Sequence, residues 1–271
     1  MADKTCLRWI ESLLAALACW GLGLVTYCLL GVSPDFSALL LLAVCTFLVY
    51  TLDGELPFSP EDRTSYSVLR LAPVVVGAVV AVLGAVLTFR REALFVIAVL
   101  AATSMLYMLP ILPGRRRLKE LPMAKTGIVS IGWGFSTVLI PALQSEDVSV
   151  AAVLWLLAYR IAFLAPNILA SDWPDRSSDL EAGIRTPANS LGTPQFMILC
   201  RGAAASAAGI ALVSVIGGYF PVWIMADALG VVISGAIIGS RMRQYPTRYR
   251  LIIDGIALWP LAPALISQFS F

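Results

Sequence analysis

The sequence contains no histidine and carries few charges for its length. Of its 271 residues, 13% are charged and 59% are apolar, and the mean hydropathy is +0.86. Soluble domains have about a quarter charged residues, so this composition indicates an integral membrane protein. The lack of histidine excludes histidine acid–base catalysis, Ser-His-Asp triads and histidine-ligated metal or haem sites. Any chemistry must therefore use carboxylates, lysine, arginine or tyrosine.

The cysteine spacing and the net charge argue against a disulfide- or zinc-stabilised protein and against a nucleic-acid-binding protein. The five cysteines never form a Cys-x-x-Cys pair, so neither a disulfide framework nor a zinc site is expected. The net charge of +2 is too small to indicate a nucleic-acid partner.

Long uncharged runs predict an all-α transmembrane bundle that forms a single domain over residues 1–271. A helical span needs about 20 apolar residues, and nine runs qualify. They cover residues 12–30, 36–52, 71–89, 93–112, 126–143, 148–170, 202–219, 221–240 and 251–270. The break at residues 217–221 contains no charge. Eight spans, with one longer kinked helix at that point, are therefore the alternative.

Basic residues predict the orientation, because lysine and arginine are retained in cytoplasmic loops. With nine spans, 16 of the 19 basic residues fall on the N-terminal side and only Arg90 and Arg91 on the other, while Arg160 lies inside the sixth span. We therefore expect a cytoplasmic N-terminus and an external C-terminus.

Two cytoplasmic connections are acidic, and they form the candidate site. One follows span two and the other follows span six. Carboxylates beside an apolar bundle need a counter-charge, for which metal ions are the obvious source. In the second connection Asp175 and Asp179 are four residues apart, so they share one face of a helical end. Mg²⁺ is typically held by one or two carboxylates, waters and phosphates, so this pair fits a magnesium–diphosphate site. A merely solvated polar loop is the alternative.

The second acidic connection also resembles a known motif. The pattern Asp175-x3-Asp179-x3-Gly183-x2-Thr186, followed by Leu191-Gly192, resembles the second aspartate-rich motif of the UbiA superfamily of intramembrane prenyltransferases. Asp172, just before it, also fits. In that family the two motifs follow spans two and six of a nine-helix bundle. The resemblance implies Mg²⁺ as cofactor, an isoprenyl diphosphate as substrate, and Asp172, Asp175 and Asp179 as metal-binding catalytic residues.

The first acidic connection departs from the family pattern. That pattern starts with Asn-Asp and repeats aspartates every three or four residues, whereas Pro57 stands four residues after Asp53. Asp53 is the best match to a catalytic metal ligand, and Asp62 is the next candidate ligand. The alternative is that this loop keeps its charges only for solvation.

Six further residues are candidates for binding the diphosphate. The resemblance implies a lysine before span five, where Lys119 and Lys125 stand, and Arg63 and Arg185 would add positive charge. Arg160 is notable because a charge inside a span is costly and usually functional. It could form an ion pair with Asp53 or contact the diphosphate. Spacings of seven and fifteen residues predict that it shares one face with Asn167 and Asp175.

The pattern as a whole predicts transfer of an isoprenyl group to an unidentified acceptor, at the cytoplasmic side of a lipid bilayer. A terpene cyclase acting on the same diphosphate is one alternative. A transporter or non-catalytic membrane protein is the other, suggested by Arg160 and Asp227 inside spans. For Asp227 itself we expect a polar helix contact.

Overall fold

The computed structural model describes residues 2–55, 68–109, 117–121, 124–181, 185–238 and 246–268. Within these ranges all regular structure is helical. A 3₁₀ turn covers Leu118–Glu120, and a π-helical turn over Phe135–Leu139 joins α5 to α6. The α-helices are α1 (Ala2–Leu30), α2 (Phe36–Glu55), α3 (Val68–Thr88), α4 (Arg91–Met108), α5 (Ala124–Gly134), α6 (Ile140–Gln144), α7 (Val150–Ser171), α8 (Arg176–Glu181), α9 (Pro187–Ser190), α10 (Thr193–Ile216), α11 (Ile224–Ile238), α12 (Pro246–Ile256) and α13 (Leu261–Gln268).

The apolar helices confirm a protein that crosses the membrane several times. In the described part of the chain, six helical segments are long and apolar enough to span a bilayer: Trp9–Leu30, Phe36–Asp53, Arg91–Met108, Ala124–Gln144, Val150–Ser171 and Thr193–Ile216. Three shorter apolar helices cover Val76–Thr88, Ile224–Ala236 and Leu251–Ser267. These segments overlap the nine predicted spans, although a turn at residues 257–260 divides the ninth, and nine crossings stays a prediction.

The uncharged break between the seventh and eighth predicted spans is a turn. Helix α10 ends at Ile216, and Gly218 has a φ of +70°, a conformation that glycine adopts without strain. Helix α11 then begins at Ile224 and packs against α10. The alternative of one long kinked helix is therefore wrong.

Helix α10 begins nine residues before the predicted start at residue 202. Gly192 is its N-cap and Pro194 lies in its first turn, where a missing N–H costs nothing. The hydropathy pattern placed the start after Arg201, because a charge interrupts an apolar run. The backbone continues through that charge, so the helix reaches back to the acidic connection.

Helix α7 lies at the centre of the bundle, packed against α1, α5, α10, α11 and α12. Its residues Leu156, Tyr159 and Phe163 are fully buried and belong to the largest apolar cluster, which joins α1, α7, α10, α11 and α13. A Cβ on Gly134 of α5 would lie 2.7 Å from Ile161 of α7, so these two helices approach closely at that glycine.

The two ends of the bundle are built differently. The acidic end is the one where α2 and α7 finish, with Asp53 and Asp172. At the opposite end, a polar contact joins the α3–α4 turn to the end of α6. The Arg90 N–H donates to Gln144 Oε1 at 2.7 Å, and Gln144 Nε2 donates to the Thr88 carbonyl at 3.2 Å. An ion pair of 2.6 Å between Arg90 and Glu146 lies beside them.

Candidate functional site

The second acidic motif begins where α7 ends. Asp172 is the C-cap of α7, and Asp175 immediately precedes α8. The Asp179 N–H donates to the Asp175 carbonyl at 2.8 Å, which is the spacing of one helical turn, as predicted. The predicted common face of Arg160, Asn167 and Asp175 is wrong, because α7 stops at Ser171 and a turn separates Asp175 from it.

Trp173 holds this turn against the helices. Its ring stacks on Phe196 of α10 at a centroid distance of 5.2 Å, and the Arg176 Cζ atom lies 4.4 Å from the centre of the Trp173 rings. Arg176 also donates to the Trp173 carbonyl at 2.9 Å. From α12, the Tyr249 hydroxyl donates to the Ala170 carbonyl at 3.1 Å, which fixes the last turn of α7. Contacts with α10 and α12 therefore position the motif at the end of α7.

Asp172 is fully buried and paired with a lysine. Lys125 Nζ, at the start of α5, lies 2.5 Å from Asp172 Oδ1, while Oδ2 accepts no hydrogen bond from the described residues. Burial raises the pKa of the Asp172 carboxyl, and the charges of Asp179 and Asp175 add to this effect. The Lys125 ammonium opposes the rise in pKa. A buried carboxylate oxygen that lacks a hydrogen-bond partner is suited to a cationic ligand.

Asp53 of the first motif has the same kind of partner. It stands in the last turn of α2, and Lys119 Nζ approaches its Oδ1 to 2.6 Å. Lys119 comes from the 3₁₀ turn before α5, and its ammonium lies 5.7 Å from the centre of the Tyr107 ring. The Asp53 side chain is 37% exposed, against 0% for Asp172. The two predicted lysines thus contact one acidic motif each.

Two lysines that are six residues apart connect the two motifs. Lys119 pairs with Asp53 of the first motif, and Lys125 pairs with Asp172 of the second. The structure therefore brings both acidic motifs to the same end of the bundle, with the Tyr107 ring beside Lys119. Sequence reasoning did not select Tyr107 as a site residue. The available signal was a tyrosine at the end of a span, just before a strongly basic connection.

The carboxylates suit a metal held jointly with a phosphate ligand rather than a protein-only metal cage. In the ranges that the structure describes, no group of three carboxylate or cysteine side chains lies close enough to surround a metal ion. Mg²⁺ needs only one or two carboxylates when phosphates and waters complete its shell. Asp172 Oδ2, which has no hydrogen-bond partner among the described residues, is a carboxylate oxygen of the kind that Mg²⁺ binds. The donor set therefore fits Mg²⁺ bound with a diphosphate.

Arg160 lies away from the acidic motifs. It is fully buried on α7, and eleven residues at about 1.5 Å each place it roughly 16 Å along the helix from Ser171. Its Nη2 donates a long bond of 3.5 Å to the Leu22 carbonyl, and its charge interacts with Asp227. The alternative ion pair with Asp53 is wrong, since the Asp53 partner is Lys119.

Asp227 makes the predicted polar helix contact. The Tyr159 hydroxyl donates to Asp227 Oδ2 at 2.8 Å, and both residues are fully buried. Nearer the acidic end, Asn167 Oδ1 accepts a hydrogen bond of 2.6 Å from Ser234. These contacts tie α7 to α11.

Three predicted site residues remain. Arg185 is exposed just before α9. Arg63 and Asp62 lie outside the described residues.

Two solved structures resemble the chain along almost its whole length. One is an apo UbiA homolog from Aeropyrum pernix K1, with a TM-score of 0.64, 15% identity, and coverage of 95% of this chain and 98% of the other. The second is a structure of digeranylgeranylglyceryl phosphate synthase, with a TM-score of 0.60, 16% identity, and coverage of 98% and 100%. The chain has the UbiA fold. The resemblance inferred from the second acidic motif is therefore confirmed at the level of the fold.

Sequence comparison alone does not reveal this relationship. No protein-family model matches the sequence, and no curated protein matches it. In a UbiA fold the paired acidic connections carry the functional interpretation, because helix packing alone does not specify a reaction.

Proposed function

We propose that this protein is a Mg²⁺-dependent intramembrane prenyltransferase that transfers an isoprenyl group from a diphosphate to an acceptor. The observation that carries the proposal is that Lys119 and Lys125, six residues apart, pair with one acidic motif each, which places both motifs at one end of the bundle. The UbiA fold supports it.

In this proposal the acidic residues hold the cation and the basic residues hold the diphosphate. Asp172, Asp175 and Asp179 would bind Mg²⁺ at the second motif, with Asp53 and Asp62 contributing from the first. When bound, Mg²⁺ neutralises charge on the leaving group. The diphosphate contacts would come from Lys119, Lys125, Arg63 and Arg185, and Asn167 would line the site from the later turns of α7. Arg160, farther along α7, would not contact the diphosphate.

The reaction begins with heterolysis of the prenyl C–O bond, and the bonding electrons leave with the diphosphate. The acceptor attacks the allylic cation, forms the new bond and loses a proton. Positive side chains at the leaving group stabilise the charge that develops there. The surrounding helices exclude water, which would otherwise capture the cation.

The distribution of basic residues supports a site on the cytoplasmic side of the membrane. Sixteen lysines and arginines fall on the side of the N-terminus and the acidic connections, against two on the other side. A soluble prenyl diphosphate would enter from the cytoplasm, and its apolar tail would enter the bundle.

The test is Asp→Asn substitution at Asp175 and at Asp179, each of which keeps the side-chain shape and removes a negative ligand. Turnover of a prenyl diphosphate in proteoliposomes, followed by diphosphate release, should fall about 100-fold or more. Raising the Mg²⁺ concentration should partly restore the turnover of these variants, because it refills a weakened metal site. The matched control is Asp147→Asn, because Asp147 lies in an exposed turn before α7 with a φ of 60°, which asparagine adopts readily.

Wild-type turnover in both Asp175→Asn and Asp179→Asn, at every Mg²⁺ concentration, would contradict the proposal. Product analysis without an added acceptor separates the cyclase alternative, since only a cyclase would then yield a cyclic hydrocarbon.

A further inference from the structure

We infer that the metal ion binds only together with the diphosphate, because Lys119 and Lys125 occupy the acidic residues of the free protein. This inference rests on the proposed function and adds an order of binding to it. It concerns the two lysine–carboxylate pairs described above, Lys119–Asp53 and Lys125–Asp172.

The first step of the argument is charge balance in the free protein. Asp172 has no exposure to solvent, so an unpaired negative charge there would be costly. Lys125 Nζ, 2.5 Å away, neutralises that charge. A free metal ion would have to approach Asp172 beside this ammonium, and like charges repel strongly where water is scarce. The buried pair therefore opposes binding of the metal alone.

The second step is that the first motif repeats the arrangement. Lys119 Nζ lies 2.6 Å from Asp53 Oδ1, and the lysine side chain is only 15% exposed. Lys119 lies in the 3₁₀ turn before α5, and Lys125 lies in the first turn of α5. One segment thus supplies an internal cation to each acidic motif.

The third step is that a diphosphate removes the obstacle. Its oxygens give each lysine a new anionic partner and complete the shell of Mg²⁺, which favours phosphate oxygens and waters over all-protein cages. Within the described residues no three candidate ligands surround a cation position, as expected if the metal site is completed by the substrate. The open Oδ2 of Asp172 is the oxygen available to that metal.

The experiment measures Mn²⁺ binding by electron paramagnetic resonance on the full-length protein in detergent, without any prenyl substrate. Mn²⁺ alone should bind wild-type protein weakly, and Mn²⁺ with inorganic diphosphate should bind at least 10-fold more tightly. Lys125→Met should raise the affinity for Mn²⁺ alone about 10-fold or more, since it removes a positive charge beside the ligand. Lys119→Met should act in the same direction at Asp53.

Arg90→Met is the matched control, because it also removes a cation paired with a carboxylate, Glu146, but at the opposite end of the bundle. Its Mn²⁺ affinity should equal that of wild type. Lys125→Met leaves a fully buried carboxylate without its partner, so its folding is checked by gel filtration and thermal melting. If it does not fold, Lys119→Met carries the test, because Asp53 is 37% exposed and tolerates the loss.

Two results would overturn the inference. The first is that wild-type protein binds Mn²⁺ equally tightly with and without diphosphate. The second is that the lysine variants fold but bind Mn²⁺ no more tightly than wild type does. Prenyl turnover measured on the same wild-type preparation separates the two proposals. If the wild-type protein turns over a prenyl diphosphate but gives either of these Mn²⁺-binding results, the order of binding is wrong and the proposed function stands. If it shows no turnover, the proposed function itself is contradicted.

Discussion

Asp53 and Asp172 have the same partner type but different surroundings. Each carboxylate contacts one lysine, yet the Asp53 side chain is 37% exposed and Asp172 is completely enclosed. Exposed ion pairs are worth little because water screens them, whereas breaking a buried pair is costly. We therefore expect Asp172 to contribute to folding as well as to binding, and Asp53 to contribute mainly to binding.

A substitution at Asp53 tests whether the first motif takes part in the reaction. Asp53→Asn should lower turnover of a prenyl diphosphate about 100-fold, comparable to Asp175→Asn, because both carboxylates would stabilise the leaving group. The melting temperature should change little. Steady-state kinetics and thermal melting on one preparation measure both effects.

The same helix offers the control. Asp35 caps the other end of α2, where its Oδ1 accepts the N–H groups of Ser37 and Ala38 at 3.0 and 3.1 Å. Asparagine caps a helix equally well, so Asp35→Asn should keep full turnover. A loss of only a few fold in Asp53→Asn would show that the first motif serves solvation alone.

At the scale of single elements, α7 is an unusual membrane helix. It carries Tyr159, Arg160 and Asn167 through the buried centre of the bundle, and each makes a polar contact with a neighbouring helix. Polar side chains of this kind are costly in lipid unless they are paired. Their pairing with α1 and α11 therefore specifies how α7 sits among its neighbours.

Arg160→Leu tests this role of α7. The substitution removes the bond to the Leu22 carbonyl and a positive charge that offsets the buried Asp227 carboxylate, and leaving buried polar groups unsatisfied typically costs about 1 to 3 kcal/mol. Arg90→Leu removes an exposed ion pair with Glu146 and should cost about 1 kcal/mol or less. Thermal melting in detergent compares the two variants.

A double variant separates charge from packing. Adding Asp227→Asn to Arg160→Leu should recover part of the lost stability, because no uncompensated charge then remains. Equal and mild losses in Arg160→Leu and Arg90→Leu would contradict the assignment of Arg160 to a buried polar network.

At the scale of the whole molecule, an odd number of crossings places the two termini on opposite sides. Nine apolar helical segments and the uneven distribution of basic residues predict an N-terminus in the cytoplasm. A reporter fused after Phe271 should therefore report an external location, and one fused before Met1 a cytoplasmic location. Both reporters on one side would contradict nine crossings.

The sequence predicts the fold better than it predicts the site. Hydropathy located apolar helices because lipid demands them, but it missed the first turns of α10, where Arg201 lies within the helix, and the turn at residues 257–260 between α12 and α13. The acidic motifs followed from local spacing. The pairing of Lys119 with Asp53, across 66 positions, has no local pattern, and neither does the pairing of Lys125 with Asp172. Such contacts depend on how the helices pack.

The filled core away from the acidic end has a consequence for the membrane itself. A strongly charged site open to one side of a bilayer endangers the membrane potential if a hydrated path continues through the protein. Here Leu22, Tyr159, Phe163 and Ile224 are fully buried in one apolar cluster, and the Arg160 and Asp227 side chains within that region are fully buried as well. This part of the bundle acts as electrical insulation. This packing would let the proposed diphosphate bind at the acidic end without opening a path for ions through the described helices.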